Sequence, residues 1–408
     1  MSTLKVDGIR HNSATSDAIT MASDGTCTAK LTSVAGGGLS HRNLIINGAC
    51  LVQQRSSSGS ATNGYATVDR FQTANVGNDE MPTQSSFEVS APGQYHLPTT
   101  GPHPYKEGFR KAFGVTNGNQ TSGAGAGDVV AIRYSVEAQD IANSGWNYTD
   151  SSSFITLSFW VKSSAAQNFY GYLLTLDGTM QRYAFETGAL TAFTWKKVVL
   201  KIPGNSNITV DNDNGEGFRI EWRPFSGTDE TDSGVSLNTW GAFAGGTRTP
   251  DSPTTWYTTN DASFQITGVQ LEVGDTATSF EHRTFADELR RCQRYFVKMY
   301  GSTGGISTGD GAIATLANFT NTAAYGPIYL PVEMRAAPTP HNPPNYSNLV
   351  YYSAGNTFTP SGSNLVFTGA AVNRVELRLN SMTNMSQGNA GWLRIASTAG
   401  YIEFNAEL

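Results

Sequence analysis

The middle of the chain alternates apolar and polar positions with a period of two. In Asp128–Glu137, Val130, Ile132, Tyr134 and Val136 fall on one side, and Val129, Ala131, Arg133 and Ser135 on the other. Phe154–Lys162 sets Ile155, Leu157, Phe159 and Val161 together, and Lys197–Ile202, Phe218–Phe225 and Phe264–Val273 repeat the pattern. Such alternation marks strands with one buried face. Helical spacing is absent from about 41 to 283, which argues against a parallel α/β sheet. A series of such strands fits a two-sheet sandwich.

One amphipathic helix follows. Thr284 is a candidate N-cap with Asp287 three residues on, a variant of the capping box. Phe285, Leu289, Cys292, Phe296 and Met299 then recur at spacings of three or four, which predicts a helix over 284–300. Its apolar stripe (Phe285, Leu289, Phe296, Met299) either covers the end of the sandwich or packs against copies of itself. Residues 301–408 return to strands: Ile328–Leu330, Asn348–Tyr352, Asn364–Phe367, Val372–Leu379, Leu393–Ile395 and Tyr401–Phe404. Pro338, Pro340, Pro343 and Pro344 break this series and exclude a central strand there. At the other end, Leu4 to Ile9, Ser16 to Met21 and Cys27 to Leu31 read as short extended pieces. Gly36-Gly37-Gly38 then reads as a linker. A piece of that size needs another surface to pack on.

Composition sharpens this picture. Of 408 residues only 15% are charged, the net charge is -6, and 43 are Gly. Aromatics reach 11%, so the polarity comes from hydroxyls and amides in an ordered chain rather than from disorder. An acidic balance gives no electrostatic footprint for nucleic acid. There is no long apolar run, so no membrane insertion is expected, and the first thirty residues lack the apolar core of a signal peptide. Cys27, Cys50 and Cys292 form no CxxC pair and are expected as free thiols, in keeping with synthesis in a reducing cytoplasm.

Three strings carry a resemblance. Asn43-Leu44-Ile45-Ile46-Asn47-Gly48-Ala49, with Gln53-Gln54-Arg55 and Gly64-Tyr65-Ala66-Thr67-Val68-Asp69-Arg70-Phe71, resembles the opening of a domain found in bacteriophage tail fibres and related virion appendages. Ile266 to Gly274, Ala277 to Arg283 and Arg291-Cys292-Gln293-Arg294-Tyr295-Phe296 resemble its close. Pro331 to Thr339 is similar to the segment that follows. The resemblance implies a jelly-roll domain similar to carbohydrate-binding modules, carried on a homotrimeric virion fibre. It brings no catalytic set, and the last 70 or so residues match no part of it. The expected architecture is therefore all-β. A virion-attachment segment (1–40) would precede a jelly-roll β-sandwich (41–283). A connecting helix (284–300) and a smaller β module (301–408) would follow. The expected partners are further copies of the chain, other virion proteins at the N-terminus, and a host-surface glycan.

Sugar binding needs flat aromatic faces beside amides and carboxylates. The loop candidates are Trp146 and Tyr148, Trp240, and Trp256 with Tyr257, each flanked by Gly, Asn, Ser or Thr. Asp211 and Asp213, in Asp-Asn-Asp-Asn-Gly-Glu, give a weak calcium candidate. The spacing fails the EF-hand template and fits an Asx turn, so no cofactor is expected, with a structural Ca2+ elsewhere left open. Glu221, Asp229, Glu230 and Asp232 could supply carboxylates for glycan hydrolysis, but no spacing places two of them face to face. No metal-hydrolase or serine-hydrolase motif occurs. The expectation is a non-catalytic virion fibre that contacts host glycan. The alternatives are a purely structural capsid or neck fibre and a glycan-degrading tailspike.

Overall fold

The computed structural model describes residues 42–56, 58–94, 100–300, 311–341, 349–360, 365–395 and 401–408, with short stretches between 6 and 29. In the stretches between 6 and 29, β1 (Gly8–Ile9), β2 (Ile19–Met21) and β3 (Cys27–Ala29) form a three-stranded antiparallel sheet. Ile9 and Met21 are exposed on it, as is Val6 just before β1. Leu4, Ser16 and the Gly36–Gly38 linker lie outside the described residues.

The next strands make a two-sheet sandwich. They are β4 (Phe71–Val76), β5 (Thr83–Glu88), β6 (Lys111–Thr116), β7 (Val129–Glu137), β8 (Phe154–Ser163), β9 (Tyr170–Thr175), β10 (Gln181–Glu186), β11 (Lys196–Pro203), β12 (Glu216–Ser226), β13 (Trp240–Ala242) and β14 (Ser263–Val273). One short helix, α1 (Ala138–Ala142), follows β7. One sheet has the order β13-β10-β9-β12-β7-β4 and the other β11-β8-β14-β6-β5. The chain crosses repeatedly between them, and the named strand pairs are antiparallel. The predicted alternation decides what lies inside: Val130, Ile132, Tyr134, Ile155, Leu157, Phe159, Phe218, Ile220, Trp222, Phe264 and Ile266 share one core. The outer face of the six-stranded sheet is not open. Arg223 and Glu221 are buried there as an ion pair at 2.9 Å.

The helix is shorter than its spacing predicts. α2 runs Phe285–Gln293, with Thr284 Oγ1 accepting from the Asp287 N–H at 3.2 Å as its cap. From Phe296 the chain is a strand, because Phe-Val-Lys-Met-Tyr also alternates and gains a full ladder with the C-terminal strand. The stripe is thereby divided. Phe285 is 58% exposed. Leu289 packs on Ile46, Val52, Cys292 and Tyr295. Phe296 lies under the Arg55 guanidinium, 3.7 Å from the ring centroid, and Met299 joins the second core.

That second core belongs to β15 (Phe296–Tyr300), β16 (Gly311–Asn318), β17 (Ala324–Tyr329), β18 (Thr339–His341), β19 (Leu349–Ser353), β20 (Asn356–Phe358), β21 (Leu365–Ala371), β22 (Arg374–Leu379), β23 (Ala390–Ile395) and β24 (Tyr401–Asn405). A three-stranded sheet β15-β24-β18 faces a seven-stranded sheet β20-β19-β23-β16-β17-β22-β21. Leu316, Ile328, Tyr351, Val375, Leu377, Leu393, Ile395, Ile402 and Phe404 lie between them. Pro340 sits in β18, an edge strand, where a missing N–H is tolerated.

The two cores meet at a buried polar joint. Arg70, with φ at +72°, is buried and ion-paired to Glu407. It donates to the Ser135 carbonyl at 2.7 Å and stacks 3.4 Å from the centroid of Tyr295. Arg55 reaches the same Glu407 at 3.0 Å and Asp69 at 3.5 Å. Asp69 accepts from the Gln54 backbone N–H (3.0 Å) and side chain (2.6 Å), and Gln54 also donates to the Phe296 carbonyl. Glu137 takes two 2.8 Å bonds from Arg294 and one from the Tyr295 hydroxyl.

A second lock closes the sandwich itself. The Asn43 carboxamide oxygen accepts from the Ile45 and Leu271 N–H groups, and Asn47 bonds Val52 and the Asp69 carbonyl. A Cβ at Gly48 would stand 2.1 Å from the Val269 carbonyl oxygen, so no larger residue fits there.

Removing one partner of a buried ion pair strands the other. Glu407→Ala is therefore expected to lower the unfolding free energy by about 3 kcal/mol or more, measured by denaturant titration. Burial pushes the Asp69 carboxyl up to about 6, against the opposing pull of Arg55 and Gln54. A folded-state pKa raised above the unfolded value contributes stability that is full at low pH and is lost as pH rises through about 6. The stability of the unmodified chain relative to Asp69→Asn should accordingly fall between pH 4 and pH 7.5, and a difference that stays flat would contradict this.

Candidate glycan-contact surface

The aromatic rings expected to bind sugar lie in the core instead. Trp146, Trp240, Trp256 and Tyr257 are buried in the first sandwich, and Tyr148 is half-buried against it. Trp146 meets Phe218 edge-on at 5.8 Å, and Tyr257 stacks on Phe225 at 4.2 Å. Trp240 donates to the Pro203 carbonyl at 2.7 Å. The physical reason is packing: Trp240 lies in β13, Trp146, Trp256 and Tyr257 lie in connecting segments, and all four rings turn into the core. Neighbouring Gly and Asn residues give the loop its turns but do not turn a ring outward.

The acidic candidates do not gather into a cation site among the described residues. Asp213 Oδ1 accepts from the Gly215 N–H at 2.8 Å, the Asx turn, and the Asp211 N–H donates to Asp177 at 2.9 Å. Among the described residues no group of three or more His, Cys, Asp or Glu side chains gathers as a metal site. Glu221 is ion-paired to Arg133 and Arg223, and Glu230 to Arg223 and Arg248. A cleft of about 700 Å³ runs beside α2, between Arg290 and Arg294 on one side and Val332 and Glu333 on the other. Its cations Arg283 and Arg294 already meet Glu281, Glu288 and Glu137.

Exposed aromatic area is concentrated on the outer face of the seven-stranded sheet. β19 and β23 pair so that Tyr352 stands directly opposite Trp392. Both rings are open, Tyr352 at 40% and Trp392 at 56% exposure. Their strand neighbours Leu393, Ile395 and Tyr351 point into the core, which forces Tyr352, Trp392 and Arg394 outward. Thr357 continues the row beyond Tyr352, and Thr315 beyond Trp392. Ser353, Ala354, Gly355, Ala390 and Gly391 leave a shallow cavity of about 390 Å³ beside the rings. Gly391 is required there, since a Cβ would stand 2.2 Å from the Tyr352 carbonyl oxygen. Tyr325, Phe319 and Tyr329 extend the aromatic surface along β16 and β17, with Phe319 and Tyr329 widely exposed.

Sequence reasoning missed this pair because alternation alone does not say which parity is inside. A signal was present: in Ala-Gly-Trp-Leu-Arg-Ile, Trp392 shares its parity with Arg394, and Leu393 with Ile395. A Trp in step with an Arg belongs to the wet face.

Fold and surface together define an all-β protein of two sandwiches, the second carrying a solvent-facing aromatic platform. No family model and no curated protein sequence matches the chain. Several solved structures are similar at low level. The enzymatically active domain of tailspike protein 4 from bacteriophage CBA120 shows 10% identity and a TM-score of 0.29, over 57% of this chain and 21% of that one. The family 11 carbohydrate-binding module from Clostridium thermocellum, in complex with a β-1,3-1,4-mixed-linked tetrasaccharide, shows 13% identity and a TM-score of 0.22, over 56% and 99%. The CBM22 tandem of Paenibacillus barcinonensis Xyn10C shows 8% identity and a TM-score of 0.23, over 91% and 98%. At these TM-scores the likenesses bear neither on what the chain binds nor on how it assembles.

Of the seven Trp residues, six are no more than 9% exposed. Acrylamide should therefore quench one accessible component of the fluorescence, and Trp392→Phe should remove that component with stability changed by no more than about 0.5 kcal/mol.

Proposed function

We propose that the chain is a non-catalytic glycan-contact protein of a phage particle, a homotrimeric tail fibre or similar appendage. The observation that carries the glycan reading is the Tyr352–Trp392 pair, two exposed rings on adjacent strands with small residues around them. A sugar ring can lie on such a platform by its apolar C–H face while the exposed Thr315 and Thr357 hydroxyls meet its edge. The three sequence strings described above support the virion setting. Residues 1–40 would attach the chain to the particle and the second sandwich would face the host. Multiple copies would raise a weak single-site affinity.

The purified chain is expected to be retained on bacterial surface polysaccharide without releasing reducing ends, and Trp392→Ala should weaken retention about tenfold. Release of reducing ends over time would make it a degrading tailspike, and absence of retention would remove the glycan reading. By light scattering the chain should run near three times its own mass.

A further inference from the structure

We propose that the outer face of the five-stranded sheet holds a small oxyanion, bound by Lys162 of β8, Gln265 of β14, His103 and Trp195. The site lies in the first sandwich, apart from the aromatic platform, and does not rest on the glycan reading. On β8, Phe159 and Val161 point into the core, so Trp160 and Lys162 point outward. Gln265 is the cross-strand partner of Lys162, and Phe264 and Ile266 on either side of it are core residues. A short 3₁₀ turn, Pro104–Glu107, lies over this face. Its Glu107 accepts from the Trp160 indole N–H at 3.1 Å, and its Tyr105 packs against the cluster of Trp160 and Trp195. His103 caps the turn. The His103 Nδ1 accepts from the Tyr105 N–H at 3.2 Å, which leaves the ring proton on Nε2.

The groups left over at this place lack partners. His103, Trp195 and Gln265 are each no more than 6% exposed. His103 Nε2, Trp195 Nε1 and Gln265 Oε1 are buried with no hydrogen-bond partner. The Lys162 ammonium stands 4.9 Å from the Trp195 ring centroid. On the same face Lys197 pairs with Glu107 and Lys201 with Asp275, but Lys162 meets no carboxylate among the described residues. Burial alone pushes its pKa down, with no acid to oppose the shift. Burial first, then the charges of Lys162 and Lys106, push the His103 imidazole down as well, which keeps it neutral. A water molecule could satisfy a lone N–H, but it would leave a half-buried ammonium without a counterion, where charge is costly. An oxyanion answers both needs. It accepts from the Lys162 ammonium, the His103 Nε2–H and the Trp195 indole N–H. The Gln265 carboxamide, turned over, presents its NH2 as a further donor. Bound there, the anion ties the capping turn to β8 and β14.

Isothermal titration calorimetry of the full chain tests this, in chloride buffer at constant ionic strength. Sodium phosphate is titrated in one arm and sodium galacturonate in the other. One saturable site is expected. Lys162→Met should weaken it at least about tenfold, His103→Phe should weaken it less, and Lys162→Arg should keep it. Near-ultraviolet circular dichroism shows whether each variant is folded, and His103→Phe carries the test if Lys162→Met does not fold. Binding of phosphate assigns the site to a free inorganic anion, and binding of galacturonate alone assigns it to a sugar acid. Either supports the proposal. Absence of a saturable site for both anions, or affinity unchanged in the folded variants, overturns it.

Discussion

The structure turns on one guanidinium kept away from water. A buried charge demands a partner, and Arg70 finds its own on the far side of a domain boundary, at Glu407. Tyr295 lies flat beneath it, and Ser135 supplies a carbonyl. These contacts come from three parts of the chain far from Arg70 in sequence. The sandwich, the α2–β15 connection and the segment after β24 must all be in place before Arg70 is satisfied. The same requirement fixes the backbone: Arg70 holds a left-handed φ that only a strongly determined surrounding would maintain.

The strings that resembled virion proteins are largely the residues of this joint and of the lock beside it. Asn43, Asn47 and Gly48 close the sandwich against Val269 and Leu271. Gln54, Arg55, Asp69, Arg70, Arg294, Tyr295 and Phe296 build the joint. Their chemistry is that of buried amides and ion pairs, so they report how the domain closes and not what it touches. The surface proposed for a glycan lies instead on β19 and β23, in the part of the chain that the resemblance does not reach. On the proposed function, architecture and recognition fall to separate segments.

What could be read in the sequence follows the same division. β7, β8, β12 and β14 were legible because apolar and polar residues alternate over many positions. β6 was not: Gly114 interrupts its pattern, and it is there because the Phe264 carbonyl approaches to 2.3 Å of where a Cβ would sit. β9 was hidden as well, since Tyr172, Leu173 and Leu174 are all buried and leave no period. The helix was overextended because Phe296 and Met299 satisfy helical and strand spacing alike, and the ladder with β24 decides between them. The loop tryptophans were misplaced for a different reason. Exposure is a property of the packed core as a whole, which no local neighbour of Trp146 or Trp256 encodes.

A joint made of buried ion pairs behaves unlike a linker. A flexible tether lets a binding module search, and the effective concentration of a second binding event then depends on tether length. Here Arg335 ties the Asn214 carbonyl to the Ala406 and Glu407 carbonyls, and Lys298 ties Arg55 to Glu403. The aromatic platform is therefore held at a set angle to the first sandwich. In any assembly of copies the platforms would sit at distances fixed by geometry, so avidity would depend on how the target groups are spaced and not only on how many there are.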